Sequence, residues 1–282
     1  MDELFQREII NSMTWSFSRI NAFGGSEKEK GCPYEWKCNY IDCIPQEGNA
    51  YSDFGGFVHK CLELFFKGEL NIFNIEDYYK EHYLDNVVHD FPKNKYKDLA
   101  VEAYESGLAY LQTVMDITDE YDILGVEQKI TTQIDGHDFI GFIDLLLKRK
   151  DNGEIECWDH KSTRLKILKN GNISKTDQWH WESFKRQQLL YSKWVKETYG
   201  KFPARLRWNM FRMNKILTYE FNESDYNAAV KWAADTIKEI EKETEFPPNP
   251  DNYYCSVLCG YRHSCPYRPI SSEQKGDTSE IY

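Results

Sequence analysis

The sequence lacks any apolar run that approaches the ~20 residues needed to span a bilayer, so we expect no membrane partner. The N-terminal segment, Met1–Leu4, is not typical of a signal peptide, and the chain has neither internal repeats nor a low-complexity tract. These absences predict a cytoplasmic protein. The 282 residues include 41% hydrophobic and 15% aromatic side chains, enough to bury a sizeable core in one large or two small domains.

Charge is unevenly distributed along the chain. The net charge is −11, which alone argues mildly against a nucleic-acid partner. Residues 160–219, however, contain 14 Lys or Arg and only 3 Asp or Glu, so this segment carries +11 and the remainder −22. Such asymmetry is typical of nucleic-acid binding, although charges scattered over solvated faces would give the same count.

Hydrophobic periodicity predicts helices around a group of strands. Turn signals at Asp135-Gly136 and Asn152-Gly153 predict two successive hairpins. The predicted strands are 123–134, 139–148, 154–160, 206–213 and 216–221. The main predicted helices are 53–67, 94–115, 178–199 and 224–244. We therefore expect an α/β fold with a central mixed sheet flanked by helices.

The stretch from Gly141 to Lys161 concentrates the residues most suited to catalysis. Asp159 and Lys161 lie two positions apart, so on a strand they share one face. The intervening hairpin can bring Asp144 beside them. Two carboxylates and an ammonium at one point predict a divalent cation with an electrophilic helper. Glu127, at the start of the first strand, is either an extra ligand or a structural carboxylate.

Four short motifs occur in an order that resembles the PD-(D/E)XK nuclease superfamily, specifically its RecB-like branch. Among its members, the chain is most similar in appearance to iron–sulfur CRISPR-associated exonucleases and their phage homologues. The motifs are Gly56-Phe-Val-His59, Gly141-Phe-Ile-Asp144, Asp159-His160-Lys161 and Gln187-x-x-x-Tyr191. The resemblance implies a restriction-endonuclease-like core.

The resemblance also implies roles for these residues. Mg²⁺ or Mn²⁺ would be bound by His59, Asp144, Asp159 and the carbonyl group of His160. Lys161 would orient the attacking water or stabilise the transition state. The remaining catalytic positions, beside the metal, would be Gln187 and Tyr191.

The eight cysteines, in a protein expected to be cytoplasmic, are more typical of metal ligands or buried apolar residues than of disulfides. By resemblance, a [4Fe–4S] cluster would be held by Cys32, Cys255, Cys259 and Cys265. Zinc is the alternative for four thiolates, and Cys38 or Cys43 could replace Cys32. The other two, Cys61 and Cys157, lie in apolar patterns that predict core positions.

These inferences predict one nuclease domain over 1–270. Its core would span about 50–245, and a cysteine-cluster cap would be formed by about 16–45 and 246–270. Residues 271–282 would be a disordered tail.

The predicted activity is metal-dependent hydrolysis of DNA, as an exonuclease on single strands or DNA ends. The DNA would be bound, through base stacking or contacts to its backbone, by Arg164, Lys166, Lys169, Lys175 and Trp179. The same pattern of aromatic and basic residues equally fits a helix packed on a sheet. Two alternatives remain open at this point. One is a DNA-end-binding adaptor subunit of a recombination or spacer-acquisition complex, and the other is a zinc-stabilised RNA-binding module. Homo-oligomers and partner proteins are both compatible with the sequence.

Overall fold

Three hairpins and one crossover build the central sheet of the computed structural model, which describes residues 3–24 and 31–269. The strands are β1 Tyr121–Ile134, β2 His137–Arg149, β3 Ile155–Lys161, β4 Arg205–Met210 and β5 Lys215–Glu220. They lie in the order β1-β2-β3-β4-β5, and only β3 and β4 are parallel. A parallel pair needs a long crossover, and the helix-containing segment between β3 and β4 supplies it.

Eight α-helices of the described residues surround the sheet. They are α1 Glu3–Asn11, α2 Phe17–Phe23, α3 Pro33–Tyr40, α4 Ala50–Phe66, α5 Ile75–Asn86, α6 Leu99–Leu111, α7 Gln178–Tyr199 and α8 Glu223–Lys242. A 3₁₀ turn, Phe211–Met213, follows β4, and a short π-helix covers Tyr254–Leu258. The predicted α/β fold with a mixed sheet and flanking helices is confirmed.

Local signals placed the turns correctly, whereas some element ends differ from expectation. Asp135 and Gly136 both have positive φ, 49° and 86°, as a two-residue hairpin turn requires. The helix predicted over 94–115 is shorter, because Asp98 caps α6 at its start and the helix ends at Leu111. The strand predicted over 206–213 stops at Met210, where the chain turns into the 3₁₀ helix. The predicted tail, 271–282, lies outside the described residues.

Two hydrophobic clusters lie on either side of the sheet. The larger one joins the strands to α2, α7 and α8 through buried side chains such as Leu146, Leu190 and Ile237. The smaller one joins α4, α5 and α6, and Phe66 at the end of α4 packs on the second face of the sheet near Trp158. Because α4 and α7 lie on opposite faces, both can reach the point where β2 and β3 separate.

The separation of β2 and β3 creates the site. Their ladder ends at the pair Leu145–Trp158, so Asp144 and Asp159 lie just beyond the last pair. The backbone N–H of His160 donates to Asp144 Oδ2 at 2.6 Å instead of to a strand carbonyl. Two acidic side chains therefore emerge where the strands part.

Candidate metal centre and catalytic site

Three side chains from three elements converge at this point. His59 on α4, Glu127 on β1 and Asp144 on β2 each offer a ligand atom, and these atoms lie within 4.8 Å of one another. All three residues are half-buried. Two carboxylates with one imidazole suit a small divalent cation that keeps some of its waters.

Glu127 reaches this group through an irregularity in β1. The ladder shifts between Ile123 and Gly125, and Glu127 then falls opposite Asp144, between the pairs Val126–Leu145 and Gln128–Ile143. Its φ is 49°, a left-handed conformation that costs a non-glycine residue about 1–2 kcal/mol. Burial and the charge of Asp144 raise the pKa of Glu127. A cation bound there would offset the raised pKa, because it favours the ionised carboxylate.

The orientation of His59 also favours a cation. Its Nε2 lies 2.7 Å from the carbonyl oxygen of His160 and must donate, because a carbonyl only accepts. In the neutral ring, Nδ1 then carries a lone pair, and it lies 3.5 Å from Asp144 Oδ2. A lone pair beside a carboxylate oxygen is unfavourable unless a proton or a metal ion lies between them.

The imidazole of His160 points away from this group. Burial lowers its pKa to about 3, so the ring is neutral. Its Nδ1 accepts a hydrogen bond from Asn209 at 3.1 Å, and the ring stacks on Phe66. The carbonyl group of His160 instead accepts a hydrogen bond from His59, one of the three converging side chains.

Asp159 and Lys161 form a buried ion pair beside the three converging side chains. Asp159 is 5% exposed, and Lys161 Nζ lies 3.0 Å from its Oδ1 and 2.8 Å from its Oδ2. Oδ2 is buried and makes no hydrogen bond beyond that charge contact. Burial, opposed by the charge of Lys161 and aided by that of Asp144, raises the pKa of Asp159 to about 6. In this arrangement Asp159 faces the ammonium and does not join the three ligands.

Two α7 residues hold the lysine and close the site. Gln187 Oε1 accepts from Lys161 Nζ at 2.9 Å, and Gln187 Nε2 lies 3.4 Å from the hydroxyl of Tyr191, one turn along. Burial raises the pKa of Tyr191 well above its usual range, so its hydroxyl stays protonated. A Cβ at Gly141 would lie 2.5 Å from the Tyr191 ring. The glycine of the Gly-Phe-Ile-Asp motif therefore makes room for the tyrosine of the Gln-x-x-x-Tyr motif.

The predicted cluster cysteines share one neighbourhood. Backbone N–H groups lie 3.3–3.4 Å from the sulfur atoms of Cys32, Cys255 and Cys259, donated by Asn249, Asp251 and Tyr261 respectively. The fourth, Cys265, packs against Cys259 and the buried Cys38. Burial, with smaller contributions from neighbouring groups that include Cys255 and Cys265, raises the pKa of Cys259 to about 12. Such thiols stay neutral unless a metal draws off their protons.

The spacing of these sulfur atoms differs from that of a closed zinc site. Tetrahedral zinc with Zn–S bonds near 2.3 Å places its sulfur atoms about 3.8 Å apart. Among the described residues, no three cysteines lie within 4.8 Å of one another. The remaining cysteines divide as expected, since Cys61 and Cys157 are buried and Cys43 is exposed.

The residues predicted to bind DNA have different environments. Three lysines are exposed and have no ion pair among the described residues: Lys166, Lys169 and Lys175. Arg164 pairs with Glu102 of α6. Trp179 is half-buried with its ring against that of His180.

Comparison with known proteins agrees with this architecture. The crystal structure of a provisionally named exonuclease from Eubacterium rectale superposes with a TM-score of 0.51 at 16% identity, covering 98% of this chain and 96% of that chain. At that identity the likeness concerns the fold alone. No protein with a curated description matches the sequence, and no helix in the described ranges is long and apolar enough to cross a membrane. The family model for the PD-(D/E)XK nuclease superfamily matches residues 14–269. The chain belongs to the PD-(D/E)XK nuclease superfamily.

Proposed function

We propose that the protein is a metal-dependent DNA nuclease of the RecB-like branch that hydrolyses phosphodiester bonds, acting as an exonuclease on single strands or DNA ends. One observation carries the proposal. The three converging side chains His59, Glu127 and Asp144 lie beside a buried Asp159–Lys161 pair, at the point where β2 and β3 separate. This combines the ligands for a cation with a positive charge next to it.

The donor set fits Mg²⁺ or Mn²⁺. Asp144 and Glu127 supply hard carboxylate oxygens, and His59 supplies a nitrogen, which suits Mn²⁺ better than Mg²⁺. Asp159 and the His160 carbonyl would complete the set after two rearrangements. Asp159 would give up part of its contact with Lys161, and the carbonyl would exchange its hydrogen bond from His59 for the cation. When bound, such a cation lowers the pKa of a coordinated water and neutralises charge on the scissile phosphate.

Lys161 acts on the phosphate or on the attacking water. Its ammonium is fixed by Asp159 and Gln187, so little side-chain freedom remains to be lost when the substrate arrives. A fixed point charge of this kind orients the nucleophile or stabilises the charge that develops in the transition state. Tyr191 supports Gln187 and remains a neutral hydroxyl.

The proposal of DNA as the substrate rests on the charge distribution of the chain and on its similarity to known proteins. Residues 160–219 carry 14 basic against 3 acidic side chains, and the exposed lysines Lys166, Lys169 and Lys175 follow directly from β3. The neighbour from Eubacterium rectale carries the name of an exonuclease. An exonuclease that starts at a DNA end is the activity that these observations favour.

The cysteines are proposed to hold a [4Fe–4S] cluster that fastens a cap onto a single nuclease domain, 1–270. Three sulfur atoms already accept hydrogen bonds from backbone N–H groups, and among the described residues no three of the sulfur atoms lie as close together as one zinc ion would hold them. Joining Cys32 to Cys265 closes a loop of more than two hundred residues, whose closure is otherwise entropically costly. The cap also supports the site, because Leu258 accepts a hydrogen bond from Asn49, the N-cap of α4.

A nuclease assay tests the proposal. Linear single-stranded, linear double-stranded and circular DNA, labelled at the 5′ or 3′ end, are incubated with the protein and Mg²⁺ or Mn²⁺. We expect linear DNA to be degraded from one end, circular DNA to resist, and EDTA to abolish cleavage. Tight DNA binding without turnover would favour the adaptor function instead, and RNA binding that survives Asp144→Asn would favour an RNA-binding module.

A further inference from the structure

A second charged cluster lies beside the catalytic site and is not explained by the catalytic roles. Glu102 on α6 is contacted by Lys97, Arg164 and Arg212, the last at 3.7 Å. Three cations thus share one carboxylate and leave a surplus of two positive charges. Tyr51 is the other polar neighbour of Arg212, with the guanidinium carbon 5.8 Å from its ring centre.

Arg212 is poorly satisfied where it lies. Its side chain is 13% exposed, and its Nε has no hydrogen-bond partner among the described residues. Burial and the nearby charge of Arg164 lower the pKa of Arg212. A half-buried arginine beside a second arginine, with one distant carboxylate, is an arrangement that an anion stabilises.

The two arginines lie on segments that adjoin the candidate metal site. Arg164 follows Lys161 by three residues, and Arg212 lies in the 3₁₀ turn next to Phe211, whose ring centre is 6.2 Å from that of His59. Arg212 also contacts Phe54, five residues before His59 on α4, which is about 7.5 Å along the helix axis.

Two glycines lie on α4 between Phe54 and His59. A Cβ at Gly55 would lie 3.2 Å from Ser162 Oγ, so the helix and the residue after β3 approach closely there. Gly56 is exposed, and a Cβ built on it would meet no atom within 4 Å. A nucleic-acid backbone can therefore approach the helix at Gly56, whereas Ser162 covers Gly55.

We propose that Arg164 and Arg212 form a phosphate subsite that holds the substrate strand next to the scissile bond. This inference rests on the proposed nuclease function. Glu102 keeps the two guanidinium groups in place before the strand binds. Tyr253, exposed and in contact with Tyr51, borders the same surface from the cysteine-rich segment. The phosphate is either an internal backbone phosphate or a terminal one, and the experiment separates these sources.

The test measures binding without cleavage. A fluorescent single-stranded oligonucleotide is titrated in EDTA over a range of salt concentrations with wild type, Arg164→Gln and Arg212→Gln. Loss of one phosphate contact lowers the slope of log K against log salt by about 0.7 on single strands, and we expect about tenfold weaker binding at low salt. Arg149→Gln is the matched control, because that arginine pairs with Asp151 at a hairpin turn and should leave both quantities unchanged.

Glu102→Gln separates the subsite from a purely structural ion-pair cluster. Removing the carboxylate leaves the two arginines less neutralised, so the subsite predicts tighter DNA binding at low salt. A structural cluster predicts weaker binding together with a lower unfolding temperature, and that result would overturn the proposal. Arg164 is exposed, so its substitution should leave the fold intact. An unchanged salt slope in Arg164→Gln would therefore also overturn the proposal.

Oligonucleotides with a 5′-phosphate, a 3′-phosphate or hydroxyl ends identify the source. If the substitutions weaken binding only of the oligonucleotide with one particular terminal phosphate, the subsite binds that terminal phosphate. If they weaken binding of all three oligonucleotides equally, the subsite binds an internal phosphate. Both results support the subsite. A wild-type protein that degrades DNA while the variants bind normally would refute the subsite alone, whereas a wild type that neither binds nor cuts DNA would refute the nuclease function.

Discussion

Asp159→Asn is expected to stabilise the metal-free protein at neutral pH while abolishing its activity. Burial raises the pKa of Asp159 to about 6, above its ordinary value of 3.8. An acid with a raised pKa favours folding while it is protonated, and this stability is lost as the pH rises through the folded pKa. Ionising Asp159 in the folded protein costs about 3 kcal/mol in total, and roughly half of this cost accrues between pH 5 and 8.

The measurement is urea unfolding in EDTA at several pH values. The free energy of unfolding of Asp159→Asn should increase relative to wild type between pH 5 and 8, and Mn²⁺ should stabilise the wild type more than the variant. Asp151→Asn is the control, because Arg149 lowers the pKa of that carboxyl and its loss gives no gain at high pH. A constant difference between Asp159→Asn and wild type across this range would refute the reasoning.

Three further perturbations test other parts of the site. Glu127→Gln should weaken Mn²⁺ binding at least tenfold by calorimetry, since it removes one of three converging ligands, and unchanged affinity would exclude Glu127 as a ligand. Gly141→Ala should destabilise the fold by about 1–3 kcal/mol through its clash with Tyr191, and adding Tyr191→Ala should make the loss less than additive in thermal unfolding. Anaerobically purified protein should be brown with broad absorbance near about 400 nm; Cys255→Ser should bleach it and Cys43→Ser should not, whereas a colourless zinc protein would contradict the cluster.

Much of the fold follows from local sequence signals. The Asp135-Gly136 and Asn152-Gly153 turns, together with the approximate period-two pattern of the flanking strands, define the first two hairpins, because each signal acts within a few residues. The same signals bring Asp144 opposite Asp159, and the four-residue spacing places Gln187 and Tyr191 on one face of α7. The proximity of these candidate catalytic residues therefore follows from the strand pairing and the helix spacing.

Other features depend on contacts between distant segments. The sequence leaves Glu127 undecided between an extra ligand and a structural carboxylate. A shift in β1 and a left-handed backbone set its direction, and neither has a signature in the neighbouring residues. The contact between Arg212 and Glu102 joins residues more than one hundred positions apart. The end of β4 at Met210 likewise depends on packing rather than on the apolar pattern, which continues to Met213.

Cleavage of end-labelled DNA by wild type, Asp144→Asn and Lys161→Ala in Mn²⁺ tests the central claim most directly. Asp144 is one of the three converging ligands and Lys161 is the charge beside them, so each change should lower the single-turnover rate by at least about 100-fold, while circular dichroism shows the fold intact. Cleavage at the wild-type rate by either variant would contradict the assignment of this site as the nuclease centre.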